Sequence, residues 1–387
     1  MLENGEVFAD DYRVVRRLGE GGFGAVYEAL QLSTGRRRAL KVMHHDLRLD
    51  GELRERFVRE ARIGAEIESE HVVEVVGAGV TRDGVPWLAM ELLEGWTLTE
   101  AVGHGPLAPS MLLDVLAQLC HGLDAAHRAG VVHRDLKPDN VFLARPRGAS
   151  PDAALRVKLL DFGIARCAEG SQTGRNSQVL GSPRWMAPEQ LVVGARLGPE
   201  ADVWAFALLV FFCWTGRSYW LAGQVGASNV AALLLEIHGG PVEAPSSRAA
   251  TLGAAAAWPR ALDRWFLRCV ARDPAARFAS IDDAFDDLRR ALGPLGDASA
   301  DGGAAPTEEL AIPSTAAPPA DPGVATVPPG ARVARPRSLE STLLPTRAGP
   351  RPPTPAAAAA TAAATRAASA PSRRRATIVL ATIGAVL

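Results

Sequence analysis

Between residues 12 and 43 apolar and polar side chains alternate: YRVVRRLG, AVYEALQL and RRRALKVM each present a two-residue period, as half-buried strands do. Ser33, Thr34 and Gly35 supply a turn between the last two segments, so an antiparallel hairpin array is predicted. Over 51–68 the period becomes helical, with Phe57, Ala61, Gly64 and Ala65 among charges, which predicts an amphipathic helix. Alternation returns in HVVEVVGAGV and VPWLAMELL, separated by the turn TRDG. Beyond Gly95 the spacing becomes three and four residues. SMLLDVLAQLCHGLDAAHRAG predicts a helix that stops at Gly130. Short strands and loops are expected over 131–163, then helices over 202–215, 230–238, 261–271 and 281–292. The layout is α+β and bilobal: after an extension of 1–11, a β-rich lobe of 12–93 carries one main helix, and a mainly α-helical lobe fills 94–292.

Beyond residue 292 the periodicity ends. Ala, Pro, Thr and Arg dominate 293–375, a composition that cannot bury a core and predicts a disordered linker. Arg373, Arg374 and Arg375 then precede the apolar run ATIVLATIGAVL of 376–387. A spanning helix needs about 20 apolar residues, so this run is expected to be the start of a transmembrane helix continuing past Leu387. The arginines would mark its cytoplasmic side. The start, MLENGEVFAD, lacks the basic and apolar regions of a signal peptide, so the first domain is expected in the cytoplasm. With 42 basic and 43 acidic residues no global field draws the chain to nucleic acid. The four cysteines, Cys120, Cys167, Cys213 and Cys269, have neither metal-site spacing nor disulfide density, and read as reduced, mostly buried thiols.

The chemistry is concentrated in a few stretches. LGEGGFGAVYEA places Gly19, Gly21 and Gly24 at G-x-G-x-x-G spacing. No helix opens at the last glycine, so this is a strand-to-strand loop rather than a dinucleotide fingerprint. Its backbone amides could approach phosphate oxygens while Phe23 covers them. Lys41, in RALKVM, is an inward lysine in an apolar strand, and a buried lysine needs a carboxylate; Glu60, on the predicted helix, is offered. VVHRDLKPDNVFL and KLLDFGIAR each follow or contain a buried strand. Asp161 is positioned for Mg2+, with Asn140 adding a neutral oxygen. Asp135 remains to accept a hydroxyl proton, and Lys137 to offset phosphoryl charge. That set suits in-line phosphoryl transfer.

GEGGFGAVY, ALKV, HRDLKPDN, DFG and MAPEQ occur in the order of the eukaryotic-like protein kinases. The chain resembles bacterial serine/threonine kinases of receptor type with a juxtamembrane linker. The resemblance implies the bilobal kinase fold over 12–292, ATP and Mg2+ as cofactors, and protein substrates with serine or threonine acceptors. It implies Lys41 on the α- and β-phosphates, paired with Glu60; Asp161 and Asn140 on the metal; and Asp135 as catalytic base. It puts Glu91 and Leu93 in the adenine-binding hinge after a gatekeeper Met90, with Val26, Ala39 and Phe142 around the ring. Lys137 matches the serine/threonine form of the catalytic loop. Ser182 stands where the family usually has threonine, Glu189 is expected to pair with Arg277, and Asp202 to anchor the catalytic-loop backbone.

Two positions depart from the family pattern: Ala207 replaces a frequent glycine, and Gly64 puts no side chain where a small apolar group commonly links the helix to the core. Between 163 and 187 lies a polar stretch in which Ser171, Thr173 and Ser177 are candidate phosphate acceptors. The resemblance implies that Arg134, before Asp135, would order that loop once phosphorylated. Autophosphorylation, self-association for it in trans, and membrane attachment are therefore expected. The alternative is a pseudokinase or docking scaffold that binds nucleotide and transfers nothing.

Overall fold

The computed structural model describes residues 2–21, 24–43, 61, 64, 66–146, 148, 153–162, 183–192, 194–222, 230–254 and 256–298. The chain divides into two units, Met1–Glu308 and Glu309–Leu387, and all described residues belong to the first.

Six antiparallel strands make one sheet: β1 (Val7–Phe8), β2 (Tyr12–Gly21), β3 (Gly24–Gln31), β4 (Arg36–Met43), β5 (Val75–Val80) and β6 (Pro86–Glu91), in the order β1-β2-β3-β4-β6-β5. Its two faces differ. On the outer face Trp87 meets Phe8 edge-on at 6.3 Å and Tyr12 at 5.3 Å, with Leu40, Ala29 and Ala89 buried beneath. Glycine is required under this indole, since a Cβ on Gly79 would sit 2.9 Å from it. The inner face packs Ala39, Met43, Leu88 and Met90 against Val73 and Ala61, with Val26, Leu93 and Leu160 partly buried at its margin. Ala61 and Gly64 are helical; the rest of the helix predicted over 51–68, Glu60 included, lies almost wholly outside the described residues.

Strand β1 lies inside the stretch read as an N-terminal extension. Two apolar residues are too few to show a period, and the turn to β2 uses Ala9 and Asp10 at φ of 48° and 61°, which composition does not announce. After Gly95 only helical spacing was expected, with its first helix from Ser110, but a short strand comes first. Strand β7 (Gly95–Thr97) joins β8 (Val141–Ala144) and β9 (Arg156–Leu159) in a second sheet. Gly95, at φ 146°, lets the chain pass where a Cβ would strike the Leu143 carbonyl. Thr97 then caps helix α1 (Leu98–Gly103) in a reciprocal capping box with Glu100.

Helix α2 (Pro109–Arg128) buries Leu112, Leu116, Leu119 and Leu123. Helix α3 (Glu200–Thr215) is apolar on all sides, and from Ala201 to Phe211 every residue is buried, as befits the centre of a lobe. It ends at Gly216 in the left-handed region, φ 67°. Around it lie α4 (Val230–Gly239), α5 (Pro245–Thr251), α6 (Asp263–Cys269) and α7 (Ile281–Ala298). The predicted helix over 261–271 is a 3-10 turn, Arg260–Leu262, followed by the shorter α6. Helix α5, PSSRAAT, is small and polar, with no period to reveal it. Helix α7 runs past Leu292 through Gly293 and Pro294, although an internal proline removes one helical hydrogen bond and crowds the preceding turn. Cys120, Cys213 and Cys269 are buried free thiols, and burial raises each thiol's pKa. Cys167 lies outside the described residues.

Candidate active site

The loop that carries His133, Arg134 and Asp135 hangs from one buried carboxylate. Asp202, in the first turn of α3 and 1% exposed, accepts the backbone amides of His133 at 2.8 Å and Arg134 at 2.9 Å and the His127 imidazole at 2.7 Å. Burial pushes its carboxyl upward, but the His127 hydrogen bond and charge, His133 and the backbone amide outweigh that and hold it below 3.8. These bonds support Arg134 at φ 64°, a conformation that costs a non-glycine residue about 1–3 kcal/mol. From the other side Gln190 Nε2 donates to the Arg134 carbonyl at 2.7 Å, while its Oε1 receives the Ala187 amide at 2.9 Å. The His133 ring is fully buried beside Phe162, 4.6 Å between centroids. Burial depresses its pKa against the opposing pull of Asp202, Asp135 and Asp161.

This frame presents a compact cluster. Asp135 Oδ2 accepts Lys137 Nζ at 2.7 Å and Asn140 Nδ2 at 2.9 Å, and the Asn140 amide also donates to the Asp135 carbonyl at 2.8 Å. With Nδ2 committed to Asp135, Oδ1 is the Asn140 atom left for a cation. Lys137 and Asp135 side chains are each 17% exposed, reachable but substantially desolvated. Facing them, Lys41 Nζ lies 2.6 Å from Asp161 Oδ2. Burial raises the Asp161 carboxyl, yet Lys41, with Lys137 and His133 behind it, brings the net shift below 3.8. Asp161 is thus an anion, at φ 55°, immediately after β9 and Leu160. One ionised carboxylate and one amide oxygen form a hard donor set that fits Mg2+.

Above the cluster, β2 and β3 meet at Gly21 and Gly24. A Cβ on Gly24 would lie 2.3 Å from the Val42 carbonyl, whereas one on Gly19 or Gly21 meets nothing within 4 Å among the described residues. Packing therefore demands glycine at 24 and leaves open space at 19 and 21. In register, Val26 faces Lys41 and Ala39 faces Met90, so their side chains share the cleft face of the sheet. Phe142 stands on β8 opposite Thr97 and Lys158. Glu91 ends β6, and its carboxylate receives Lys158 Nζ at 2.6 Å and the Glu74 amide at 3.0 Å. Leu93 packs at the margin of the inner-face cluster.

Below, Arg277 binds Glu189 in two parallel bonds of 2.7 and 2.8 Å and donates to the carbonyls of Ala271 and Glu200. Its guanidinium, fully buried, lies 5.0 Å over the Trp204 ring. Phe23, Glu60, Ser171, Thr173, Ser177 and Ser182 lie outside the described residues. Lys158, Gln190 and Leu160 were not singled out from the sequence. Lys158 had the same signal as Lys41, a cation in an apolar strand, and Gln190 sits beside the chosen Glu189.

Residues 12–283 match the protein kinase domain family. Serine/threonine-protein kinase pkn2 of Myxococcus xanthus is 42% identical over 209 residues, 53% of this chain and 24% of that protein. Pkn1 of the same organism is 40% identical over 271 residues, 70% and 36% of the two chains. PknJ of Mycobacterium tuberculosis is 34% identical over 279 residues, 72% and 45%. The chain spans about a quarter to a half of the length of these relatives. Among solved structures, the PknI kinase domain of M. tuberculosis aligns with a TM-score of 0.58 at 28% identity, covering 76% of this chain and all of that one. A match over most of the described fold, with bacterial serine/threonine kinases as relatives, means that this chain belongs to the protein kinase family.

Proposed function

We propose that the chain is a serine/threonine protein kinase that transfers the γ-phosphoryl group of ATP to protein hydroxyls. The observation that carries this reading is the convergence of Asp135, Lys137 and Asn140 in one hydrogen-bonded cluster with the Lys41–Asp161 pair across the cleft. Asp135 accepts the acceptor hydroxyl's proton as oxygen bonds to the γ-phosphorus and the bond to the departing ADP oxygen breaks. Lys137 offsets charge on the transferring group, and Lys41 orients the other phosphates. Bound Mg2+, held by Asp161 and the Asn140 oxygen, would neutralise phosphate charge. Val26, Ala39, Met90, Leu93 and Phe142 give an apolar enclosure suited to an adenine ring, and the space over Gly19 and Gly21 suits phosphates. Purified protein with labelled ATP should phosphorylate a generic basic protein on serine or threonine, and Asp135→Asn should not. Failure of the native protein to transfer label would return the pseudokinase reading.

Regulation belongs to the same proposal. Arg134 Nε is buried without a hydrogen-bond partner among the described residues, which suits a guanidinium awaiting a phosphorylated Ser171, Thr173 or Ser177. Arg373–Arg375 and the apolar run after them would anchor the chain to a membrane, with the kinase domain on the cytoplasmic side. Among the described residues no helix is long and apolar enough to cross a membrane, and the terminal run lies outside them.

A further inference from the structure

Lys158 reaches from the small sheet to the large one. On β9 it stands directly opposite Phe142 of β8, so the two side chains share a face. Its ammonium lies 2.6 Å from Glu91 Oε1 and 3.3 Å from the Val72 carbonyl. The same Glu91 oxygen accepts the Glu74 amide at 3.0 Å. With side chains only 12% and 22% exposed, Lys158 and Glu91 are too shielded for either charge to stand alone without penalty. The backbone repeats the connection. Glu91 N donates to Glu74 O at 2.9 Å, Val73 N to Leu159 O at 3.0 Å, and Leu159 N to His71 O at 2.8 Å. The end of β6, the stretch 71–74 and β9 are thereby joined, and two residues past Leu159 stands Asp161.

We propose that Lys158 is a positioning residue for the nucleotide. By holding the Glu91 carboxylate beside the Glu74 amide while donating to the Val72 carbonyl, it fixes the main chain of 91–93 that receives the adenine edge, and couples it to the strand that delivers Asp161. This rests on the kinase reading above. Lys158 does not touch the reacting atoms; it acts through Glu91. A pair that merely stiffened the fold would change thermal stability and leave nucleotide affinity alone.

The test uses the full chain. In Lys158→Met, the KM for ATP and the Kd for ADP without metal should both rise about tenfold, equivalent to a coupling of about 1.4 kcal/mol, while kcat stays within about twofold. Lys158→Arg should recover most of the affinity. Glu91→Gln should match Lys158→Met, and the double variant should be no weaker than either single one. If Lys158→Met does not fold, Glu91→Gln carries the comparison alone. Unchanged KM and Kd, or a loss confined to kcat, overturns the role of Lys158 while leaving the kinase reading standing. Native protein that binds no adenine nucleotide overturns both.

Discussion

Asp202 shows how much one carboxylate can determine. Three donors end on it, two of them backbone amides of the loop that presents Asp135. Asp202→Asn presents an amide N–H to donors that need an acceptor, so it should cost about 3 kcal/mol or more, read as a shift in denaturant midpoint. Because its folded pKa lies below the ordinary 3.8, Asp202 stabilises the fold wherever the unfolded carboxyl is ionised. That contribution is complete above the ordinary value and is lost as pH falls through the folded one. The stability gap between native and Asp202→Asn protein should therefore shrink as the pH falls below the ordinary carboxylate value. Asp161→Asn behaves differently. Lys41 loses its partner at a site 29% exposed, so the fold should survive, while phosphoryl transfer falls about a hundredfold or more with the loss of the site's anionic metal ligand. Activity near native at ordinary Mg2+ would show that the metal is held elsewhere. Asp161 stood out in the sequence because it follows an apolar strand, whereas Asp202 was named only through the family resemblance. Lys158 and Gln190 did not stand out, because their partners lie 67 and 56 residues away, and only folding brings those together.

Among the elements, the glycine loop separates two reasons for the same residue. At Gly24 a methyl group would strike the Val42 carbonyl at 2.3 Å, so β3 and β4 would have to part. Gly24→Ala should lower the melting temperature. At Gly19 and Gly21 the described residues leave room, so alanine there should spare stability and raise the KM for ATP, by blocking close approach of phosphate to the backbone. Stability and KM measured on the three variants should split accordingly; an equal loss of stability in all three would assign the glycines to packing alone. Elements with long periods, β2 to β4, α2 and α3, were readable because burial on one face, or on all faces, imprints a repeating pattern. Shorter ones were hidden. β1 has two residues and α5 seven, and both depend on tertiary packing more than on their own propensities. The capping box of Thr97 and Glu100 was present in the sequence, but the three-residue strand before it gave no alternation to recognise.

At the scale of the whole molecule the lobes do different work. The sheet supplies Lys41 and the glycines, the helical lobe supplies Asp135, Asn140 and Asp161, and the two meet where Leu160 packs against the inner-face cluster and the Val73 amide donates to the Leu159 carbonyl. Composition made the end of this body legible only approximately, since α7 continues through Gly293 and Pro294. The long Pro- and Ala-rich stretch beyond it bears on regulation. If Ser171, Thr173 or Ser177 is phosphorylated in trans, two kinase domains must meet. Attachment to a shared membrane through that stretch, as proposed above, would then raise their effective concentration without any new contact. A chain shortened to 1–308 should label itself at a rate per molecule that rises with protein concentration. The full chain on vesicles should be far less sensitive to dilution, because its neighbours stay within linker reach. Mixing an inactive Asp135→Asn chain with active protein should label the inactive one. A rate independent of concentration, with the inactive chain left unlabelled, would place the reaction in cis and remove the tether from the control of activity.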